Sequence, residues 1–203
     1  MASTRTYDNS VFINCPFDPK YGPLFEALTF SVIECGFVPR SAREADDGTE
    51  VRITKINNII KGCRLAIHDL SRTESDGDPP LPRFNMPFEL GIFVGAKAFG
   101  NKDQKRKAAL ILDTEKFRYQ RFLSDIAGQD ISAHEGDPAK AVGHVRNFLA
   151  NHVGGILPGT KVVADRYEAF RRALPDACKA VSLDPNDLSF PDLVQLINGY
   201  NNA

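Results

Sequence analysis

Apolar positions along the chain follow two alternating periods. Val11-Phe12-Ile13-Asn14-Cys15, closed by Pro16, is a short apolar run that predicts a buried strand. Tyr21, Leu24, Phe25, Leu28, Val32 and Cys35 follow at helical spacing, and Gly36 ends that helix because glycine accepts the left-handed C-cap conformation. Residues 37–41 predict a second strand, followed by an acidic loop over 44–48. Thr49 is the expected cap of the next helix, whose stripe is Ile53, Ile56, Ile59 and Ile60 and whose stop is Gly62. Leu65-Ala66-Ile67-His68-Asp69-Leu70 predicts a third strand. The loop over 71–86 carries Pro79, Pro80 and Pro82, a length that in a compact domain marks a functional segment such as a lid. Pro87 suits the first turn of a helix reaching about Phe99. A strand over 108–112, a helix over 114–124, a short edge strand over 129–133 and a helix opened by Asp137-Pro138 complete the series.

Strands that alternate with amphipathic helices predict a parallel sheet covered on both faces. The expected fold is α/β: a five-stranded, mostly parallel, flavodoxin-like sheet with helices on both faces, spanning residues 1–151. Residues 152–203 break the alternation. After a glycine-rich stretch, two helical segments (161–174 and 191–201), separated by Pro175 and the turn Asp184-Pro185-Asn186-Asp187, predict a C-terminal helical hairpin packed on the sheet.

Composition narrows the function classes. A formal charge of −1 over 203 residues supplies no attraction for a polyanion, so nucleic acid and anionic membrane surfaces are not the expected partners. Four dispersed cysteines without a CxxC motif read as reduced thiols. The polar start of the chain and the lack of a long apolar run lead to the expectation of a cytoplasmic protein with no membrane segment. Histidines at 68, 134, 144 and 152 lack ligand spacing, so neither a metal nor another cofactor is expected. His68, next to Asp69 on a strand, is expected to point to the opposite side and to be a packed histidine.

Ligands of open parallel sheets bind outside the carboxyl ends of the strands. That rule selects Asn14 and the residues after it, including Tyr21; Ser41 and Arg43; Asp69 and Ser71 through Asn85; and the end of the fourth strand. Asp69 closes a strand and Glu89 falls in the first turn of the following helix, which places two carboxylates at one sheet edge. A helix start stabilises negative charge. Glu89, however, sits among Phe88, Leu90, Ile92 and Phe93, with Gly91 and Gly95 expected to let the helix approach the sheet, and a buried charge needs a partner or a purpose. Arg40, Arg43 and Arg52 suit either a phosphate or surface pairing with Glu44, Asp46 and Asp47, and Asn14 and Asp18 suit either a ligand or a turn around Pro16 and Pro19.

These segments carry a resemblance. Ala66-Ile67-His68-Asp69-Leu70-Ser71, then Asn85-Met86-Pro87-Phe88-Glu89-Leu90-Gly91 and an alanine- and glycine-rich continuation, resembles the signature of the nucleoside 2-deoxyribosyltransferase-like and bacterial TIR-like proteins. Val11 through Phe17 is similar to that family's first strand and pocket loop, which brings Pro16 and Phe17 into the candidate site. The resemblance covers roughly residues 10–150, and its most specific part is the Glu-Leu-Gly helix. It implies that Glu89 is the catalytic glutamate acting at an anomeric carbon, with Asp69 orienting or protonating the base or holding a ribose hydroxyl. It also implies a nucleoside, nucleotide or NAD as ligand, homo-oligomers, and roles in bacterial signalling or antiviral defence. The alternative it leaves is a non-catalytic, nucleotide-sensing or self-associating module. The long 73–83 insertion and the C-terminal hairpin depart from the transferase pattern.

Overall fold

The structure is a computed structural model that describes residues 6–44, 48–73, 75–76 and 81–202. Its sheet is built from β1 (Ser10–Asn14), β2 (Val38–Ser41), β3 (Leu65–Asp69), β6 (Ala108–Asp113) and β7 (Ile131–Ala133). The spatial order is β2-β1-β3-β6-β7, and every pairing is parallel. A short antiparallel ladder, β4 (Ser75–Asp76) with β5 (Leu81–Pro82), lies in the long loop. The helices are α1 (Gly22–Glu34), α2 (Arg52–Lys61), α3 (Asn85–Phe99), α4 (Pro138–Ala150), α5 (Thr160–Ala180) and α6 (Phe190–Asn201). The α/β fold read from the sequence is the fold observed.

Side-chain parity on the strands assigns the faces. Odd positions Val11, Ile13, Leu65 and Ile67, with Leu110 and Leu112 of β6, form one core with Leu28 and Val32 of α1 and Val142 and Val145 of α4. Phe12 and Ala66 point the other way, against Ile56, Ile59 and Ile60 of α2 and Phe93 of α3. Further along that second face, Ile111 meets Met86 and Leu90 of α3 and Tyr119. The C-terminal helices extend the first core: Val163, Tyr167, Phe170, Leu174 and Cys178 of α5 and Phe190, Leu193 and Ile197 of α6 are its buried stripes. Phe30 of α1 joins them, with ring centroids 5.6 Å from Tyr167 and 5.4 Å from Phe170.

Several local expectations give way to packing. Thr49 does not cap α2. The helix begins at Arg52 after Val51, because its buried stripe is Ile56, Ile59 and Ile60 and the polar residues before it have nothing to bury. Residues 114–124 form no α-helix: Phe117 is left-handed (φ 64°), and only 3₁₀ turns at Arg118–Arg121 and Ser124–Ile126 follow. There the Arg118 guanidinium donates to Asp113 Oδ1 at 2.7 Å and to the Leu70 carbonyl at 2.6 Å, tying the segment across the strand ends. Pro175 does not divide the C-terminal helices; α5 runs through it, its later turns held by Leu174 and Cys178 in the core. Gly91 and Gly95 face open space, so they do not bring α3 closer to the sheet. Four free cysteines are buried, as expected of reduced thiols. Residues 45–47 of the acidic loop, and Glu74 and residues 77–80 of the proposed lid, lie outside the described residues. Among the described residues no helix is long and apolar enough to cross a membrane.

Candidate functional site

A cleft of about 400 Å³ opens at the carboxyl ends of β1 and β3, the point where successive crossovers leave the sheet in opposite directions. Asn14, Cys15, Pro16 and Phe17 line one wall, and Asn85, Met86 and Glu89 the other, with Asp18, Arg52 and Arg83 at its margins. Asn14, Pro16, Phe17, Asn85 and Glu89 of the sequence-derived site thus meet in one place.

Glu89 arrives there through the register of α3. Met86, Leu90 and Phe93, at steps of four and three, are the buried face of the helix, and Glu89 projects within that stripe. Because α3 begins at Asn85, Glu89 occupies its second turn, beyond the amides of the helix start that explain many carboxylates. It is 6 % exposed, and no hydrogen bond or ion pair to it occurs among the described residues. Burial pushes its carboxyl up to about 7, only partly opposed by the Arg52 charge. Asn14 fixes this geometry: its amide nitrogen donates to the Met86 carbonyl at 3.0 Å and bonds His68 Nδ1 at 2.8 Å. The first turn of α3 is thereby pinned to the end of β1, and Asn14 Oδ1 is left as an acceptor.

Asp69 does not share the cleft. It has the parity of Leu65 and Ile67, so its side chain enters the face covered by α1 and α4, opposite the face that carries α3. There it is fully buried, accepting from Tyr21 Oη at 2.5 Å and the Ser71 amide at 2.8 Å, with His134 Nε2 3.0 Å away. His134 Nδ1 accepts from the Gly136 amide at 2.9 Å, which places the ring proton on Nε2; that atom lies 3.0 Å from Asp69 Oδ2 but outside hydrogen-bond alignment. Burial alone raises the Asp69 carboxyl, but His134, Ser71 and Tyr21 together outweigh it and hold the group below the usual carboxylate range. Asp69, Tyr21 and Ser71 thus form a closed polar knot that anchors the start of α1 and the start of the long loop.

The remaining candidates separate as well. Ser41 is fully buried at the end of β2 and accepts from the Arg43 amide at 3.3 Å. Arg43 lies over the rings of Phe17 and Phe25, at 5.7 and 5.5 Å, and lines a second hollow beside the cleft. His68 has the opposite parity to Asp69 and packs edge-on against Phe12 and Phe93; burial lowers it to about 3, so it is neutral. Cys15 borders the cleft, but burial and then the Asp69 charge push its thiol well up, away from a nucleophilic thiolate.

Of the arginines that suit a phosphate in the sequence, Arg52 lies at the cleft margin. Two contributors have no local sequence signal: Arg83 at the same margin, and His134, which pairs with Asp69 across 65 positions, a contact only the β6–β7 crossover creates. Among the described residues no cluster of His, Cys, Asp or Glu could hold a metal ion. No protein-family model matches the chain, and no curated protein matches it.

Proposed function

We propose that the cleft binds a nucleoside or nucleotide and that Glu89 acts on its N-glycosidic bond. The observation that carries this reading is Glu89 itself: a buried carboxyl with no hydrogen bond or ion pair among the described residues, its burial only partly offset by the Arg52 charge, on the inner face of a helix and lining a cleft at the switch point of the sheet. Burying such a group with so little compensation costs stability, and sites where that cost persists are functional candidates. When the bond from the anomeric carbon to nitrogen breaks, its electron pair leaves with the base and the sugar carbon becomes cation-like. A carboxylate aimed at that carbon stabilises the charge or bonds to it, and water then releases the sugar. A carboxyl titrating at about 7 is partly ionised near neutrality and can also hold a proton for the base. Phe17, 38 % exposed, offers a face for stacking, while Arg52 and Arg83 supply positive charge at the margin for an anionic group. The resemblance of the Asn85-to-Gly91 segment to the transferase-like and TIR-like signature points the same way.

Incubation of the full chain with NAD and a panel of nucleosides and nucleotides, followed by chromatography for free base, tests the reading. Base release that Glu89→Gln abolishes is the expected result. Release unaffected by Glu89→Gln would remove Glu89 from the chemistry, and no release from any compound would remove cleavage.

One observation favours a second reading, self-association. On α3, Phe88, Val94 and Phe99 are exposed, Phe84 is exposed just before it, and Gly91 and Gly95 between them meet open space. An apolar surface of this kind on a helix suits contact with another protein surface. A single monomeric species at every concentration tested would dismiss it.

A further inference from the structure

Two helix starts meet at the Glu89 cleft without the groups that usually cover them. Arg52, at the cleft margin, is the first residue of α2, and Asn85 and Met86, in its wall, open α3. Among the described residues no side chain caps either start, and neither first turn holds an acidic residue. The ordinary arrangement is seen in α4 and α6, where the Asp137 and Ser189 side chains accept from the Ala139 and Asp192 amides. The first amides of a helix and its dipole together favour an anion. Two exposed arginines add full charges at the same margin: Arg52, and Arg83 just ahead of α3. The acidic residues of the cleft do not cancel them. Both Asp18 oxygens are shielded from water, with Arg72 3.6 Å from Oδ1, and Glu89 is buried and only partly ionised near neutrality.

Glu89 supplies the independent sign of a ligand: its side chain is 6 % exposed, lines the cleft, and has no hydrogen bond or ion pair among the described residues. With Glu89 buried and both arginines exposed, the cleft is acidic at its floor and basic at its mouth. A nucleotide has the same polarity. Its anomeric carbon and its C5′ stand at opposite ends of the furanose ring, so a sugar with the anomeric carbon at Glu89 directs C5′ away from the floor. A guanidinium at the mouth is always charged, and its planar fork donates two parallel hydrogen bonds to two oxygens of one phosphate. We propose that Arg52 and Arg83, with the starts of α2 and α3, bind the 5′-phosphate of a nucleotide, so that the site takes nucleoside 5′-phosphates in preference to nucleosides. The inference rests on the cleft being a nucleoside site and adds the phosphate to it. Phosphate bound there also lets the two helix starts share one anion, which neither has within the described chain.

Calorimetric titration of the full chain with adenosine, guanosine, cytidine and uridine, with their 5′-monophosphates and with inorganic phosphate tests this, in the Glu89→Gln background to prevent turnover. The bound nucleotide should exceed its parent nucleoside in affinity by about tenfold or more, and Arg52→Gln combined with Arg83→Gln should bring the pair to within about threefold. The excess should also shrink as salt is raised, because both arginines are exposed. Equal or tighter binding of the nucleoside, which needs no arginine variant to observe, overturns the proposal while leaving a nucleoside site intact. A preference that survives in the doubly substituted chain, with its folding checked by circular dichroism, also overturns it. Inorganic phosphate bound as tightly as the nucleotide would mark an anion site that reads no nucleoside, and overturns it too. Binding of none of these compounds, together with no cleavage by the wild-type chain, would bring down the nucleoside reading itself and the proposal with it.

Discussion

Replacing Glu89 with glutamine should make the protein's stability less dependent on pH, in a direction opposite to that of most carboxylates. The native carboxyl titrates at about 7 against a reference of 4.5, because burial disfavours its charge. Between those values the native state holds a proton that the unfolded chain releases, so stability is fully present below the lower value and is lost as pH rises through the higher one. At 1.36 kcal/mol per unit the full penalty is about 3 kcal/mol; about 1 kcal/mol of it is present at pH 5 and nearly all of it at pH 8. Glutamine keeps the shape and cannot ionise. Chemical denaturation of both proteins at pH 5, 6, 7 and 8 should therefore show the variant gaining about 2 kcal/mol on the wild type across the series, a rise of roughly 5 °C in relative melting temperature for a chain of this size. Parallel stability curves would mean that the Glu89 charge is solvated or paired in solution, and the main argument for its function would fall with that result.

Other consequences are simpler to read. Asp69→Ala strands the Tyr21 hydroxyl, the Ser71 amide and His134 in a dry interior, so we expect a loss of about 3–5 kcal/mol in unfolding free energy; a loss below about 1 kcal/mol would show the knot to be dispensable. Tyr21→Phe removes only one of these donors and should cost about 1–2 kcal/mol by denaturant titration, with a smaller change if the hydroxyl bond is absent in solution. If α3 mediates self-association, Phe88→Asp should shift the protein to monomer in light scattering without lowering its melting temperature, because Phe88 is exposed. An unchanged oligomer would place the contact elsewhere.

The fold was legible because its signals are local. The buried strands are apolar runs, α1 and α4 show their stripes, and the Asp137 side chain caps α4 by accepting from the Ala139 amide at 2.8 Å, as Asp-Pro suggests. Glu89 was legible too, since an acid between Met86, Leu90 and Phe93 at helical spacing has to face inward. The misreading of Asp69 has an equally local origin. Both carboxylates do stand at the same sheet edge, but the strand parity that turns His68 away from Asp69 also turns Asp69 away from α3. The helix expected over 114–124 gives way for a reason propensity does not carry, namely that Arg118 is engaged by Asp113 of β6 and by the Leu70 carbonyl just after β3. Arg52, Arg83 and His134 belong to the site or its surroundings only through long-range packing.

The knot around Asp69 has a consequence for genetic experiments. If Glu89 acts as proposed, a screen that scores only product would rank substitutions at Asp69 and Glu89 as equally damaging, and the two would pass for partners in one reaction. Steady-state abundance separates them: variants at Asp69 should be cleared from the cell as unfolded chains, whereas Glu89→Gln should accumulate at least as well as the parent. The knot and the cleft draw on opposite faces of the same sheet.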